Sequence, residues 1–73
     1  MERNNPNLQQ LKETYPTGAR VKLLQMEDPQ APPLGTKGTV QGVDDIGSIL
    51  VLWDTGSRLS VLYEVDEVKK IND

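Results

Sequence analysis

Two adjacent carboxylate pairs, Glu27-Asp28 and Asp44-Asp45, are by residue type the best candidates for acid–base or metal chemistry in this chain. Two carboxylates can divide general acid and base roles when they face one another across a scissile bond. Sequence neighbours at a bend do not do so, because acids in turns accept backbone N–H groups or solvate the bend. A calcium ion would need about six to eight oxygens from a patterned loop, and the Asp-x-Asp-x-Asp-Gly spacing is missing. A nucleophile fares no better. The chain has no His and no Cys, which removes the usual general base, the usual metal ligand and the thiolate. Disulfides and iron–sulfur clusters go with them. The reading is therefore of a non-enzyme with no catalytic residue, no metal and no cofactor.

Recognition chemistry remains. Arg20, Lys22, Lys37 and Arg58 could contact phosphates, but nucleic-acid binders usually carry a basic stripe, and two cations alternating on one strand do not make one. The chain has 8 basic and 11 acidic residues, a net charge of −3. Residues 1–43 carry Arg3, Lys12, Arg20, Lys22 and Lys37 against Glu2, Glu13, Glu27 and Asp28; residues 44–73 hold the acidic excess. That balance disfavours nucleic acid as the partner.

The elements that must hold these residues are few. Seventy-three residues make one domain with a small core. With 36% apolar and 26% charged residues, the composition is that of a globular, soluble chain. No run approaches the roughly 20 apolar residues of a membrane span, and MERNNPN has no signal-peptide core, so a cytoplasmic location is expected. Asn5 then Pro6 reads as a helix start. Leu8, Leu11 and Tyr15 form one apolar stripe on a helix of about residues 7–14, which Pro16 ends. Two turns of helix do not persist alone in water, so the segment docks or frays.

From Ala19 the period falls to 2. Ala19, Val21 and Leu23 alternate with Arg20, Lys22 and Leu24 in a first strand. Residues 26–35, MEDPQAPPLG, form a proline-rich loop. Residues 36–43 form a second strand, whose glycines imply a bulge or sharp bend. Asp44-Asp45 turns the chain into a third strand over residues 46–53. Asp54-Thr55-Gly56 reads as a hairpin turn with Gly56 at positive φ. Residues 57–62 return antiparallel, 63–66 make a helical turn, and 67–71 close as a fifth strand. The fold expected is all-β: a five-stranded, strongly bent small barrel over residues 16–73, preceded by a helical extension at 1–15.

The runs Tyr15-Pro16-Thr17-Gly18-Ala19-Arg20-Val21-Lys22-Leu23, Met26-Glu27-Asp28-Pro29 and Pro33-Leu34-Gly35-Thr36-Lys37-Gly38-Thr39-Val40 resemble a bacterial and phage family. Val43-Asp44-Asp45-Ile46-Gly47 and Trp53-Asp54-Thr55-Gly56-Ser57-Arg58-Leu59 extend the likeness over about residues 15–71. That family is domain of unknown function 4314, often found in mobile genetic elements. Leu50 and Leu52 stand where its pattern usually has polar residues, and Glu64-Val65 replaces a common Pro-Gly-type link. Residues 35–43 are also similar to the glycine-rich strand–turn–strand of KOW modules, which implies an SH3-like barrel here. Fold likeness alone does not carry function.

Three features compete for a binding role. Trp53 could be a stacking platform, but Ile49, Val51 and Trp53 share one face at period 2, which assigns the ring to the core. Leu50 and Leu52 then face outward, an apolar patch for the N-terminal helix or for a second copy in a weak homodimer. The proline loop offers Met26, Asp28, Pro29, Pro32 and Pro33 as a pre-stiffened recognition surface. It lacks the aromatic lining of a proline-peptide groove. The expected function is a protein-binding module using Met26, Asp28, Pro29, Pro32, Pro33, Leu50 and Leu52. The alternative is a nucleic-acid or ribonucleoprotein accessory using Arg20, Lys22, Lys37 and Arg58.

Overall fold

Alternating apolar residues on β1 (Arg20–Gln25), β2 (Lys37–Val43) and β3 (Ser48–Trp53) give each strand one buried face, and burying those faces together produces the domain. The computed structural model describes residues 8–62 and 65–72. Helix α1 (Leu8–Thr14) leads into β1, and β4 (Val61–Leu62) and β5 (Glu67–Ile71) complete one antiparallel sheet in the order β4-β3-β2-β1-β5. The first four strands form a meander, and β5 returns to pair with β1. The all-β, five-stranded architecture with a short helix is thus as the sequence implies.

The core is Val21 and Leu23 of β1, Val40 of β2, Ile49, Val51 and Trp53 of β3, and Val61 of β4. Tyr15, Ala19, Met26, Val43 and Val68 pack against it. Trp53 is only 1% exposed, as the period-2 face of β3 requires. Its indole N–H donates to the Leu59 carbonyl at 2.9 Å, satisfying a donor that burial would otherwise strand.

That bond accounts for one difference from the sequence reading. Residues 57–60 do not join the ladder; only Val61 and Leu62 do. The Trp53 N–H takes the Ser57 carbonyl and the indole takes that of Leu59, so this stretch serves the tryptophan instead of extending β4. A second difference lies before β3, which begins at Ser48 rather than Ile46. One Asp44 carboxylate oxygen accepts the N–H groups of Ile46 and Ser48 at 3.1 and 2.8 Å, and Gly47 turns the chain at φ +88°. Ile46 is left at the tip of that turn, 79% exposed.

The second strand bends, as its glycines imply, and the first strand bends as well. Register shifts occur between Val40 and Gly42 and between Leu23 and Gln25, leaving Gln41 and Leu24 as extra residues. Gly56 has φ +96°. Gly38 lies between Val21 and Trp53 in register, and a Cβ there would come within 2.6 Å of Val51 Cγ1 and 2.7 Å of Trp53 Cε3.

The helix docks differently from the expectation. Leu11 is buried and α1 lies against β2, whereas the surface expected to receive it was that of Leu50 and Leu52 on β3. Gly42, the register partner of Leu50, offers no side chain to bridge that strand, and Leu50 stays 37% exposed while Leu52 is half-buried. The helix start at Asn5-Pro6 and the residues Tyr63 and Glu64 of the expected helical turn lie outside the described residues. The rest of that turn is present: Leu62 carbonyl oxygen accepts the N–H groups of Val65 and Asp66 at 3.1 and 2.9 Å.

Two substitutions test this core. Trp53→Ala is expected to cost about 3–5 kcal/mol, close to the whole stability of so small a domain. Gly38→Ala should lose about 1–3 kcal/mol, because the new methyl presses on Val51 and on the indole ring. Urea unfolding followed by tryptophan fluorescence for Gly38→Ala, and by circular dichroism for both, reads these losses. An unfolding midpoint unchanged in either variant contradicts the packing described.

Candidate protein-binding groove

Pairing of β5 with β1 places two loops side by side. Gln25, the last residue of β1, is in register with Glu67, the first of β5. The next residue outward on one strand is Met26 and on the other Asp66, so the start of the β1–β2 loop meets the β4–β5 turn. Between them lies a groove of about 330 Å³ lined by Met26, Glu27, Asp28, Ser60, Leu62, Val65 and Asp66.

The proline loop is held by its own hydrogen bonds. The Asp28 carbonyl accepts the N–H of Ala31 at 2.9 Å, and its carboxylate accepts that of Gln30 at 2.8 Å, closing a turn across Pro29. At the far end, the Pro33 carbonyl accepts both the N–H and the hydroxyl of Thr36, at 3.0 and 2.6 Å. Gly35, at φ +91°, donates its N–H to the Leu23 carbonyl at 2.7 Å, and the Leu23 N–H reaches the Thr36 carbonyl at 2.8 Å. Pro32 is buried, while Pro29 and Pro33 are exposed. Of the expected partner residues, then, Met26 and Asp28 line the groove and Pro29 adjoins them in the chain. Pro32 is a packing residue of the loop. Leu50 and Leu52 are not among its lining residues; they lie on the outer face of β3, where Leu62, opposite Ser48, is their neighbour from the groove.

The turn side of the groove is ordered by Asp66, whose carboxylate accepts the Leu62 N–H at 3.0 Å. The Leu62 carbonyl is occupied by the same turn. Leu62, Val65 and Asp66 were not among the residues expected to form the site. Their signal in the sequence was indirect: it lay in the pairing of the first and fifth strands, which no local motif encodes.

The four cations proposed for phosphate contact are not brought together as a set. Arg20 grips Asp54 through two hydrogen bonds of 2.8 and 2.7 Å and donates to the Thr39 hydroxyl at 2.9 Å. Lys22 is in register with Lys37 on one side and Lys69 on the other, so three exposed lysines stand in a row across β2, β1 and β5. Lys69 was missed by sequence reasoning because only the register reveals it. Arg58 lies on the separate 57–60 connection. Among the described residues, no three His, Cys, Asp or Glu side chains gather closely enough to hold a metal ion, and no helix is long and apolar enough to cross a membrane. A second crevice of about 360 Å³, lined by Lys12, Tyr15, Pro16, Thr17, Gly42 and Val43, marks where α1 meets β2.

The Arg20 guanidinium, by hydrogen bond first and by charge second, holds the Asp54 carboxyl below its ordinary value of 3.8, with a smaller contribution from Lys37. A depressed folded-state value means that the pair stabilises the fold above the unfolded value. That stabilisation fades as pH falls through the lowered folded one. A carbon-13 titration of the Asp54 carboxyl is expected to show a midpoint below 3.8 that moves upward in Arg20→Gln. An identical midpoint in the two proteins contradicts the assignment.

Residues 4–71 match the family model described as Domain of unknown function (DUF4314), and the chain belongs to that family. No curated protein matches the chain. No solved structure matches it either.

Proposed function

We propose that this family member is a non-enzymatic interaction module that binds a protein partner in the groove between the proline loop and the β4–β5 turn. One observation carries the reading: a concavity lined by the apolar Met26, Leu62 and Val65 together with Glu27, Asp28, Ser60 and Asp66. Apolar lining supplies affinity by releasing water, and polar groups orient what enters. The loop is suited to the task because its turns are closed by internal hydrogen bonds, which lowers the entropy cost of holding a binding surface. A catalytic reading finds no support in this groove. Among the described residues its lining offers three carboxylates and the Ser60 hydroxyl, a set without the His or Cys of the usual nucleophilic constellations.

A second reading, docking on nucleic acid, draws on the row Lys37-Lys22-Lys69. Asp54, in the turn after β3 with its N–H on the Lys37 carbonyl, and Glu67, two residues before Lys69 on β5, flank that row, and Arg20 is engaged by Asp54, so the local excess of positive charge is small. The protein partner is the better supported of the two.

Affinity capture from native cells distinguishes the readings. Met26→Asp, shown to be folded by circular dichroism, should lose the species that the unaltered chain retains, and Lys22→Gln should keep it. Capture unaffected by Met26→Asp refutes the groove. Retained species that are nucleic acid and vanish with Lys22→Gln, with an affinity falling by nearly one power of salt per phosphate contacted, establish the second reading.

A further inference from the structure

Granting that the groove is a binding site, its chemistry specifies the occupant further. Among the described residues, every ionisable side chain lining it is acidic: Glu27 and Asp28 from the loop, Asp66 from the turn. No described Lys or Arg lines it. Met26, Leu62 and Val65 share the lining, with Leu62 46% and Val65 67% exposed. A lining that mixes accessible apolar side chains with carboxylates complements a segment that carries an apolar side chain and cations beside it.

The backbone narrows the mode of binding. β4 is an edge strand, and an edge strand usually offers its outward N–H and C=O to an added strand. At Leu62 both groups are already taken: the N–H by the Asp66 carboxylate, the carbonyl by the N–H groups of Val65 and Asp66. Strand addition is closed off at that position, which leaves side-chain recognition. Asp66 still has acceptor capacity, since a carboxylate offers about four lone-pair sites. The same holds for Asp28, whose recorded bond to the Gln30 N–H uses one oxygen.

We propose that the groove recognises a basic peptide segment of the partner: one apolar side chain seated on Met26, Leu62 and Val65, with flanking Lys or Arg side chains against Glu27, Asp28 and Asp66. The carboxylates would steer and orient the segment and the apolar contact would supply affinity, the usual division at interfaces.

The test uses the full chain and three N-acetylated pentapeptides with a central leucine: one flanked by four lysines, one by four glutamines, one by four glutamates. Nitrogen-15 amide spectra follow each titration. The lysine peptide is expected to shift the amides of Glu27, Asp28, Leu62, Val65 and Asp66, and its affinity should fall severalfold as salt rises from about 0.05 to 0.5 M. Glu27→Gln and Asp28→Asn should each weaken it by about two- to fivefold; asparagine keeps the acceptor that holds the Gln30 N–H. Equal binding of the glutamine peptide at the groove overturns the charge inference and leaves the groove reading standing. Preferential binding of the glutamate peptide, or lysine-peptide shifts confined to other surfaces, overturns it too. If no peptide moves the groove amides, this inference fails; whether the Met26→Asp capture result persists then decides the broader reading separately.

Discussion

The fit of the Trp53 ring over Gly38 is the constraint on which the remaining structure depends. The chain has no Phe, one Trp and two Tyr, so a single indole must fill the interior that several aromatic rings share in larger domains. A ring that size can reach the core only if the neighbouring strand presents no side chain beneath it, and Gly38 meets that condition. The indole N–H must then be answered inside. Leu59 answers it, and in doing so holds residues 57–60 away from the ladder. One side chain thus sets the closeness of β2 to β3, the shortness of β4 and the path leading to Ser60 and Leu62 in the groove.

The groove itself follows from a longer-range constraint. Antiparallel pairing of β1 with β5 joins residues more than forty positions apart, as Leu23 with Val68 and Gln25 with Glu67. Once that register holds, the residues just beyond each strand have to meet. The bulge at Leu24 adds local twist at this point. Met26 thereby remains packed against the core while its neighbours Glu27 and Asp28 are exposed. The groove thus shares Met26 with the core, and turn hydrogen bonds made by Asp28 and Asp66 hold its other residues in place.

Local signals in the sequence reached the elements they govern. Period-2 alternation located Val21, Leu23, Ile49, Val51 and Trp53 in the core, and glycines identified the turn at Gly56 and the bulge in the second strand. Failures came where a tertiary hydrogen bond outweighed local pattern. Residues 57–60 have strand character but answer Trp53; Ile46 is β-branched but sits in a turn that Asp44 organises. The candidate site was half legible. Met26 and Asp28 were visible as part of an unusual loop, whereas Leu62, Val65 and Asp66 depended on a register between the two ends of the sheet. The lysine row was hidden for the same reason, since Lys69 is far from Lys22 in sequence and beside it in the sheet.

Register also explains why net charge is a poor guide to this molecule. The total of −3 suggests a mildly acidic surface of no particular character. The sheet instead sorts the charges. Strand pairing sets Lys37, Lys22 and Lys69 side by side on the outer face of β2, β1 and β5, although like charges directly opposite one another are unfavourable. The loop after β1 and the turn before β5 collect Glu27, Asp28 and Asp66 beside Met26, Leu62 and Val65. Screening limits each charge to neighbours within about 8 Å at physiological salt, so an approaching partner feels the local set and not the total. On that scale the groove is anionic because of its own carboxylates, and the Arg20–Asp54 pair leaves its strand crossing almost neutral. What the chain attracts is therefore decided by where its strands pair, one step beyond what composition expresses.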